Sequence, residues 1–239
     1  MTDETTPARW RAVGGTVAGA SHVRAGRPNQ DAIRLPRDGD APMLVAVSDG
    51  HGSDKCFRSD RGSRMAVAAV VVALAGGVAR AAGDATAARE GLETLPAEVA
   101  RRWREAVELD LALSPLSVEE LDALEAADGA RARAAVAAAP LVAYGATVVA
   151  AAITEAYVLF VQLGDGDILV VTGAGEVTRP LPDDERLFAN ETTSLSSPSA
   201  DRDFRLAASQ LDEGVALVLL STDGYANSFR DEAEFLKVG

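Results

Sequence analysis

Three apolar runs in this chain each end in an aspartate beside glycine. Met43-Leu-Val-Ala-Val leads into Ser48-Asp49-Gly50-His51-Gly52, Tyr157-Val-Leu-Phe-Val-Gln-Leu into Gly164-Asp165-Gly166-Asp167, and Val215-Ala-Leu-Val-Leu-Leu into Ser221-Thr222-Asp223-Gly224. One Asp-Gly is ordinary turn chemistry, because both residues accept the backbone angles of a tight turn. Three carboxylates at the ends of rigid elements suggest convergence on a cation, since loop mobility is removed from the ligand. The ligand types narrow the choice of cation. The chain has two histidines, His22 and His51, and one cysteine, Cys56, so imidazole-rich and thiolate cages are excluded by count. What remains is oxygen: Asp31, Asp49, Asp165, Asp167 and Asp223, with the carbonyls beside them. Oxygen donors suit Mg²⁺ or Mn²⁺, which keep several waters. Two such ions about 3.5–4 Å apart can clamp a phosphoryl group and turn a water into a nucleophile. Glycine after Asp49 lets a carbonyl approach a cation with no Cβ in the way.

Strands and helices must carry these groups to one place. Short β-branched and leucine-rich runs closed by turn residues predict buried strands: Trp10 to Val17, Asp31 to Leu35, Met43 to Val47, and 144–153, 156–163, 167–172 and 215–220. Residues 59–80 read as a helix. Arg64 and Arg80 enclose 15 uncharged residues, too few to span a bilayer, so the helix is expected to lie buried against a sheet. Residues 84–139 are rich in Ala, Glu, Arg and Leu and read as a helical segment. Val99, Trp103, Val107 and Leu111 form an apolar stripe within it, and Ser117-Val-Glu-Glu120 matches a capping box. Residues 180–204, with Pro180, Pro182 and Pro198, read as a long surface loop.

Composition limits the partners. A net charge of −13 argues against a sequence-independent nucleic-acid binder, which needs a basic face, and against an anionic membrane surface. A single cysteine excludes an intrachain disulfide. The opening Met1-Thr-Asp-Glu-Thr-Thr-Pro lacks a basic stretch followed by an apolar one, so a cytoplasmic location is expected.

At the acidic residues the chain resembles the metal-dependent protein phosphatase 2C family of serine/threonine phosphatases, in its bacterial form. Gly19-Ala-Ser-His-Val-Arg-Ala-Gly-Arg-Pro-Asn-Gln-Asp31 is similar to the opening acidic motif, and Val47-Ser-Asp49-Gly50-His51-Gly52-Ser53 to the Asp-Gly-His-Gly motif. Tyr144-Gly-Ala-Thr147 with Gly164-Asp165-Gly166 resembles the next two blocks, and Leu219-Leu-Ser-Thr-Asp223-Gly224 the late Asp-Gly block. The resemblance implies an α+β fold: two packed, mainly antiparallel β-sheets flanked by helices on both outer faces. It implies one phosphatase-like domain over 1–239, with 84–139 as a helical segment inside it. Asp49 would bridge two metals, the Gly50 carbonyl would bind one and Asp223 the other. Asp31 would order waters on the metals, and Asp165 would serve a weaker third ion. His51 would be the general acid toward the leaving serine or threonine oxygen. The ions implied are Mn²⁺ or Mg²⁺, and the substrate a phosphoserine or phosphothreonine protein made by an opposing Ser/Thr kinase.

The chain departs from the family's pattern in three places. Gln30 stands where better-known members have Glu, offering a carbonyl oxygen without charge. The phosphate-binding arginine falls to Arg27, four residues before Asp31, with Arg24, seven before, as the other position. The family carries a further metal-binding Asp in a final strand, and Gly239 is reached before one, so the domain is expected to lack its C-terminal strand. Two function classes follow: a metal-dependent phosphoprotein phosphatase, or a catalytically weak module of the same fold that binds a phosphoprotein or other partner. Among the remaining polar residues, Arg58, Arg61 and Arg64 read as either facing the cleft or forming a solvated first helical turn. His22 reads as structural, Asp167 as hairpin chemistry, Asp183-Asp-Glu185 as loop solvation, and Cys56 as unactivated.

Overall fold

The computed structural model describes residues 10–19, 23–24, 26–37, 40–181, 193–211 and 214–238; His22 and Asp183-Asp-Glu185 lie outside them. Among the described residues, eight strands form two antiparallel sheets. The first has five strands in the order β1 (Ala32–Arg34), β2 (Met43–Ser48), β3 (Val148–Ile153), β4 (Tyr157–Leu163) and β7 (Arg205–Gln210). The second has β6 (Val177–Thr178), β5 (Asp167–Thr172) and β8 (Val215–Ser221).

Two cores explain why the central strands read as unbroken apolar runs. Along β3, Val148, Ala150 and Ala152 face one core while Val149, Ala151 and Ile153 face another. Along β4, Tyr157, Leu159, Val161 and Leu163 join the first core, and Val158 and Phe160 the second. Side chains alternate across a strand, so a strand buried on both faces is apolar at nearly every position; the exception in β4 is the buried Gln162. The second core lies between the sheets, where Val149, Phe160 and Met43 meet Ile168 of β5, with Val218 and Leu220 of β8 packed against it.

The first core lies between the five-stranded sheet and helices α1 (Ser59–Ala81), α2 (Ala85–Gly91) and α3 (Leu95–Leu113). By length and composition α1 could cross a membrane, which its short charge-free stretch did not suggest. Here it packs on β1, β2, β3 and α3, with Ala66, Val70, Ala73 and Leu74 fully buried. Helix α3 buries Val99, Trp103 and Val107 of the expected stripe, with Leu111 partly buried against the same core, and the Trp103 indole donates to the Gly62 carbonyl of α1 at 3.0 Å. Helices α4 (Val118–Asp128) and α5 (Ala130–Ala138) follow. The capping box at Ser117 is complete, Ser117 Oγ accepting from the Glu120 amide and the Glu120 carboxylate from the Ser117 amide.

Two expectations change. Trp10 to Val17 forms no strand; the Gly14-Gly15 pair interrupts it, and Val13 and Val17 stand 92% and 87% exposed. Arg205–Gln210, unassigned from sequence, is a strand because it pairs with the free edge of β4 over six residues. Short helices α6 (Asp223–Ala226) and α7 (Glu232–Phe235) come after β8.

Candidate metal and phosphate site

The acidic residues sit where strands end. Asp49 directly follows β2, Asp31 directly precedes β1, Asp223 opens α6 two residues past β8, and Asp165 lies in the turn between β4 and β5. The carboxyls of Asp31 and Asp223 both come within hydrogen-bonding reach of the Asp49 carboxyl. Burial, followed by the like charge of Asp31 and Asp223, pushes the Asp49 carboxyl up to about 8. The Thr222 hydroxyl donates to Asp31 Oδ2 at 3.4 Å.

The main chain around Asp49 is fixed on both sides. Its amide donates to Thr147 Oγ1 at 3.1 Å, the Thr147 amide donates back to the Asp49 carbonyl at 2.9 Å, and Ser48 Oγ donates to the Thr147 carbonyl at 2.5 Å. Next in line, the Gly50 amide donates to the Gln30 carbonyl at 3.2 Å and the His51 amide to the Gly145 carbonyl at 3.1 Å. A methyl group at Gly50 would lie 2.6 Å from the Gln30 carbonyl oxygen and 2.7 Å from that of Ser59, so only glycine fits between these two walls.

His51 is half-buried, and burial lowers its pKa below the ordinary value while Asp165 and Asp223 pull it back up. The Asp165 turn is held from beneath: Gln162 Nε2, in β4, donates to the Gly164 carbonyl at 3.2 Å and also to that of Gly166. Gly164 has φ +103°, and a methyl group there would meet Thr147 Cγ2 at 2.5 Å.

The other candidate residues are placed as follows. Gln30 is 95% buried by its 5% exposure; its Nε2 donates to Ser59 Oγ at 2.6 Å and to the His51 carbonyl at 3.4 Å. Its Oε1 has no partner among the described residues. Arg27 lies over the Gly52–Asp54 loop, donating to the Gly52 carbonyl at 2.7 Å and pairing with Asp54, so its charge is already engaged there. Asp167 pairs with Arg179 at 3.0 Å, away from the carboxylate cluster. Cys56 is buried, and burial raises its thiol. Of the arginines at the start of α1, Arg58 fits neither expectation: it is 4% exposed and engaged with Glu120. Arg61 pairs with Asp110 and Arg64 with Asp60.

The donor set fits a divalent cation of the Mg²⁺ or Mn²⁺ kind. Three crowded carboxylates repel one another, and a bound dication reverses that cost. Among the described residues no three His, Cys, Asp or Glu side chains already form a metal cage. Carbonyl and water would therefore complete the shell, as these ions favour. The cluster opens into a cleft of about 1370 Å³ lined by Asp31, Asp49, Asp223 and Tyr225 and by apolar side chains of β2 and β8.

The chain belongs to the protein phosphatase 2C family, whose model matches residues 18–239; it is a family of metal-dependent phosphoprotein phosphatases. No curated protein matches it in sequence. Among solved structures it is similar to a bacterial serine phosphatase at 14% identity, covering 89% of this chain and 79% of that one with a TM-score of 0.55. The serine/threonine phosphatase Stp1 from Staphylococcus aureus matches at 14% identity, 92% and 78% coverage and TM-score 0.51. The Mycobacterium tuberculosis serine/threonine phosphatase PstP/Ppp matches at 19% identity, 88% and 78% coverage and TM-score 0.50. At these identities the likeness is one of fold: two antiparallel sheets with helices, the sandwich expected from the sequence.

Proposed function

We propose that the chain hydrolyses phosphoserine and phosphothreonine in proteins, using the Asp49 cluster to hold Mn²⁺ or Mg²⁺. The observation that carries this reading is the meeting of Asp31, Asp49 and Asp223 from three separate strand ends, in a family of metal-dependent phosphatases. Asp49 with the Gly50 carbonyl and Asp223 would hold the ions, and Asp165 would hold a weaker third. Ions bound there would supply Lewis acidity that makes a water nucleophilic at neutral pH. Asp31 accepts hydrogen bonds from waters of the site and keeps them oriented. As the water oxygen bonds to phosphorus and the P–O(Ser/Thr) bond breaks, His51 gives its proton to the departing oxygen. The carboxylates of Asp165 and Asp223 help His51 hold that proton against the effect of its burial. The products are inorganic phosphate and the free hydroxyl, and the substrate presupposes a Ser/Thr kinase. A location in the cytoplasm, where such kinases and their ATP act, accords with this substrate.

The test is turnover of a phosphothreonine peptide with Mn²⁺, with Mg²⁺ and with chelator. Release of phosphate that depends on added metal supports the reading. Peptide binding without phosphate release under any metal condition would instead make the chain a phosphoprotein-binding module.

A further inference from the structure

Arg58 has no place in the phosphatase reading, yet it is the most fully bonded charged side chain near the site. Its side chain is 5% exposed, and all five N–H donors are used. Nε and one NH2 hydrogen meet the two Glu120 carboxylate oxygens, each at 2.7 Å. The other NH2 hydrogen reaches the Pro115 carbonyl at 3.0 Å. NH1 donates to the Ser114 carbonyl at 2.6 Å and to the Tyr144 hydroxyl at 2.7 Å. Tyr144 in turn donates to Asp110 Oδ2 at 2.6 Å, which also accepts from Arg61 at 3.0 Å. A buried guanidinium costs several kcal/mol unless every donor is paired; here a planar fork is matched by a carboxylate and by the exposed carbonyls at the end of α3.

The two partners at the centre of this network each stand one residue from the walls of the metal loop. Arg58 precedes Ser59, whose carbonyl forms one side of the slot that admits only Gly50 and whose hydroxyl is held by Gln30. Tyr144 precedes Gly145, whose carbonyl receives the His51 amide. The Arg58 amide donates to the Ala143 carbonyl at 2.8 Å, so the two walls are also tied to each other. A shift of Arg58 or Tyr144 therefore moves both supports of the Gly50–His51 main chain.

We propose that Arg58 is a positioning residue for the metal loop, held in register by Glu120 of α4 and, through Tyr144, by Asp110 of α3. The helical segment after α1 thereby sets the affinity of the Asp49 site from outside it. This inference rests on the metal reading above. Arginine is required in this role: lysine keeps the charge but presents three donors from one point and cannot make the fork.

The experiment measures Mn²⁺ binding calorimetrically, together with phosphopeptide kcat and KM and the melting temperature in chelator, for the full chain and four variants. Arg58→Lys, Glu120→Gln and Tyr144→Phe carry the proposal. Leu124→Val is the control; it thins the core on the same helix α4, where Leu124 is 2% exposed, without touching the network. Removing an outer support of a metal site weakens it by about 10–100-fold. The first three variants should therefore lose Mn²⁺ affinity by at least about 10-fold and kcat with it, KM for peptide changing little. Leu124→Val should melt lower yet keep its Mn²⁺ affinity. If the first three melt lower but bind Mn²⁺ as the unaltered chain does, Arg58 is structural only and the proposal is overturned. If Mn²⁺ affinity merely follows melting temperature across all four, it is overturned as well. Absence of Mn²⁺ binding by the unaltered chain would overturn the metal reading and this inference together, which separates the two failures.

Discussion

Asp49 and Thr147 clasp each other where β2 ends and β3 begins. The Asp49 amide donates to the Thr147 hydroxyl at 3.1 Å, and the Thr147 amide to the Asp49 carbonyl at 2.9 Å. Thr147 is 2% exposed, so water cannot replace its hydroxyl. The orientation of the central carboxylate thus depends on a residue 98 positions away in sequence.

Thr147→Val tests that dependence, because it keeps the shape and removes the acceptor. It leaves the Asp49 amide without its side-chain partner, at a cost of about 1–3 kcal/mol. A melting temperature lower by several degrees is expected, with a larger proportional loss in metal-dependent turnover. Unchanged turnover would show that the clasp serves only the fold.

Asp49→Asn separates function from stability. With its carboxyl pushed up to about 8, Asp49 must be held protonated in the metal-free fold near neutral pH, a cost that asparagine removes, so in chelator the variant should melt higher. Each kcal/mol gained corresponds to about 2–4 °C in a chain of this size. Metal-dependent phosphate release should disappear at the same time. A lower melting point in chelator would mean that Asp49 is not crowded by Asp31 and Asp223 in solution.

His51→Ala is expected to reduce phosphopeptide hydrolysis by about 10²–10⁴-fold, the range for a general acid. With p-nitrophenyl phosphate the loss should be much smaller, since nitrophenolate leaves without protonation. Equal losses on the two substrates would remove His51 from the acid role.

Acid stability reports the Arg58 network. The hydrogen bond from Arg58 holds the Glu120 carboxyl below its ordinary value of 4.5. At Asp110 burial acts to raise the pKa, but hydrogen bonds from Tyr144 and Arg61 outweigh it and hold the carboxyl low. A depressed carboxylate stabilises the fold above its unfolded pKa and loses that contribution as pH falls through the folded one. Melting temperature should therefore fall below pH about 4.5 as these carboxyls protonate. Glu120→Gln should melt lower at neutral pH and show a shallower decline on acidification. Parallel curves for both proteins would mean that Glu120 contributes nothing to the acid limb.

How far the sequence spoke depended on what each residue faces. Strands β3 and β4 were legible because burial on both faces favours nearly continuous apolar runs, with Gln162 the one polar residue in Tyr157–Leu163. Strand β7 was not, since Arg205-Leu-Ala-Ala-Ser-Gln contains no β-branched residue and becomes a strand by pairing with β4. Trp10 to Val17 showed the reverse: its valines suit a strand, but among the described residues no strand pairs with it. In the site, the strand-end signal pointed to Asp49 and Asp223, which meet, and to Asp165, which acts on His51 instead; Asp31, which joins Asp49 and Asp223, precedes its strand. Arg58 was hidden. A charge at the first turn of a helix ordinarily faces water, and the carboxylate that buries it lies 62 residues later. Gln30 was legible as a position but not as an orientation, since its amide turns to Ser59.

The sharing of β3 and β4 between two cores has a consequence for how the molecule comes apart. Every second residue of these strands feeds a different hydrophobic layer, so neither layer can open while the other stays closed. The ends of the same strands carry Thr147 and the Asp165 turn. Those supports of the site therefore belong to the most protected cooperative unit of the chain. Local fraying is left to the outer helices and the unpaired edges, and the supports beneath the catalytic centre should be among the last parts of the molecule to exchange their amide protons.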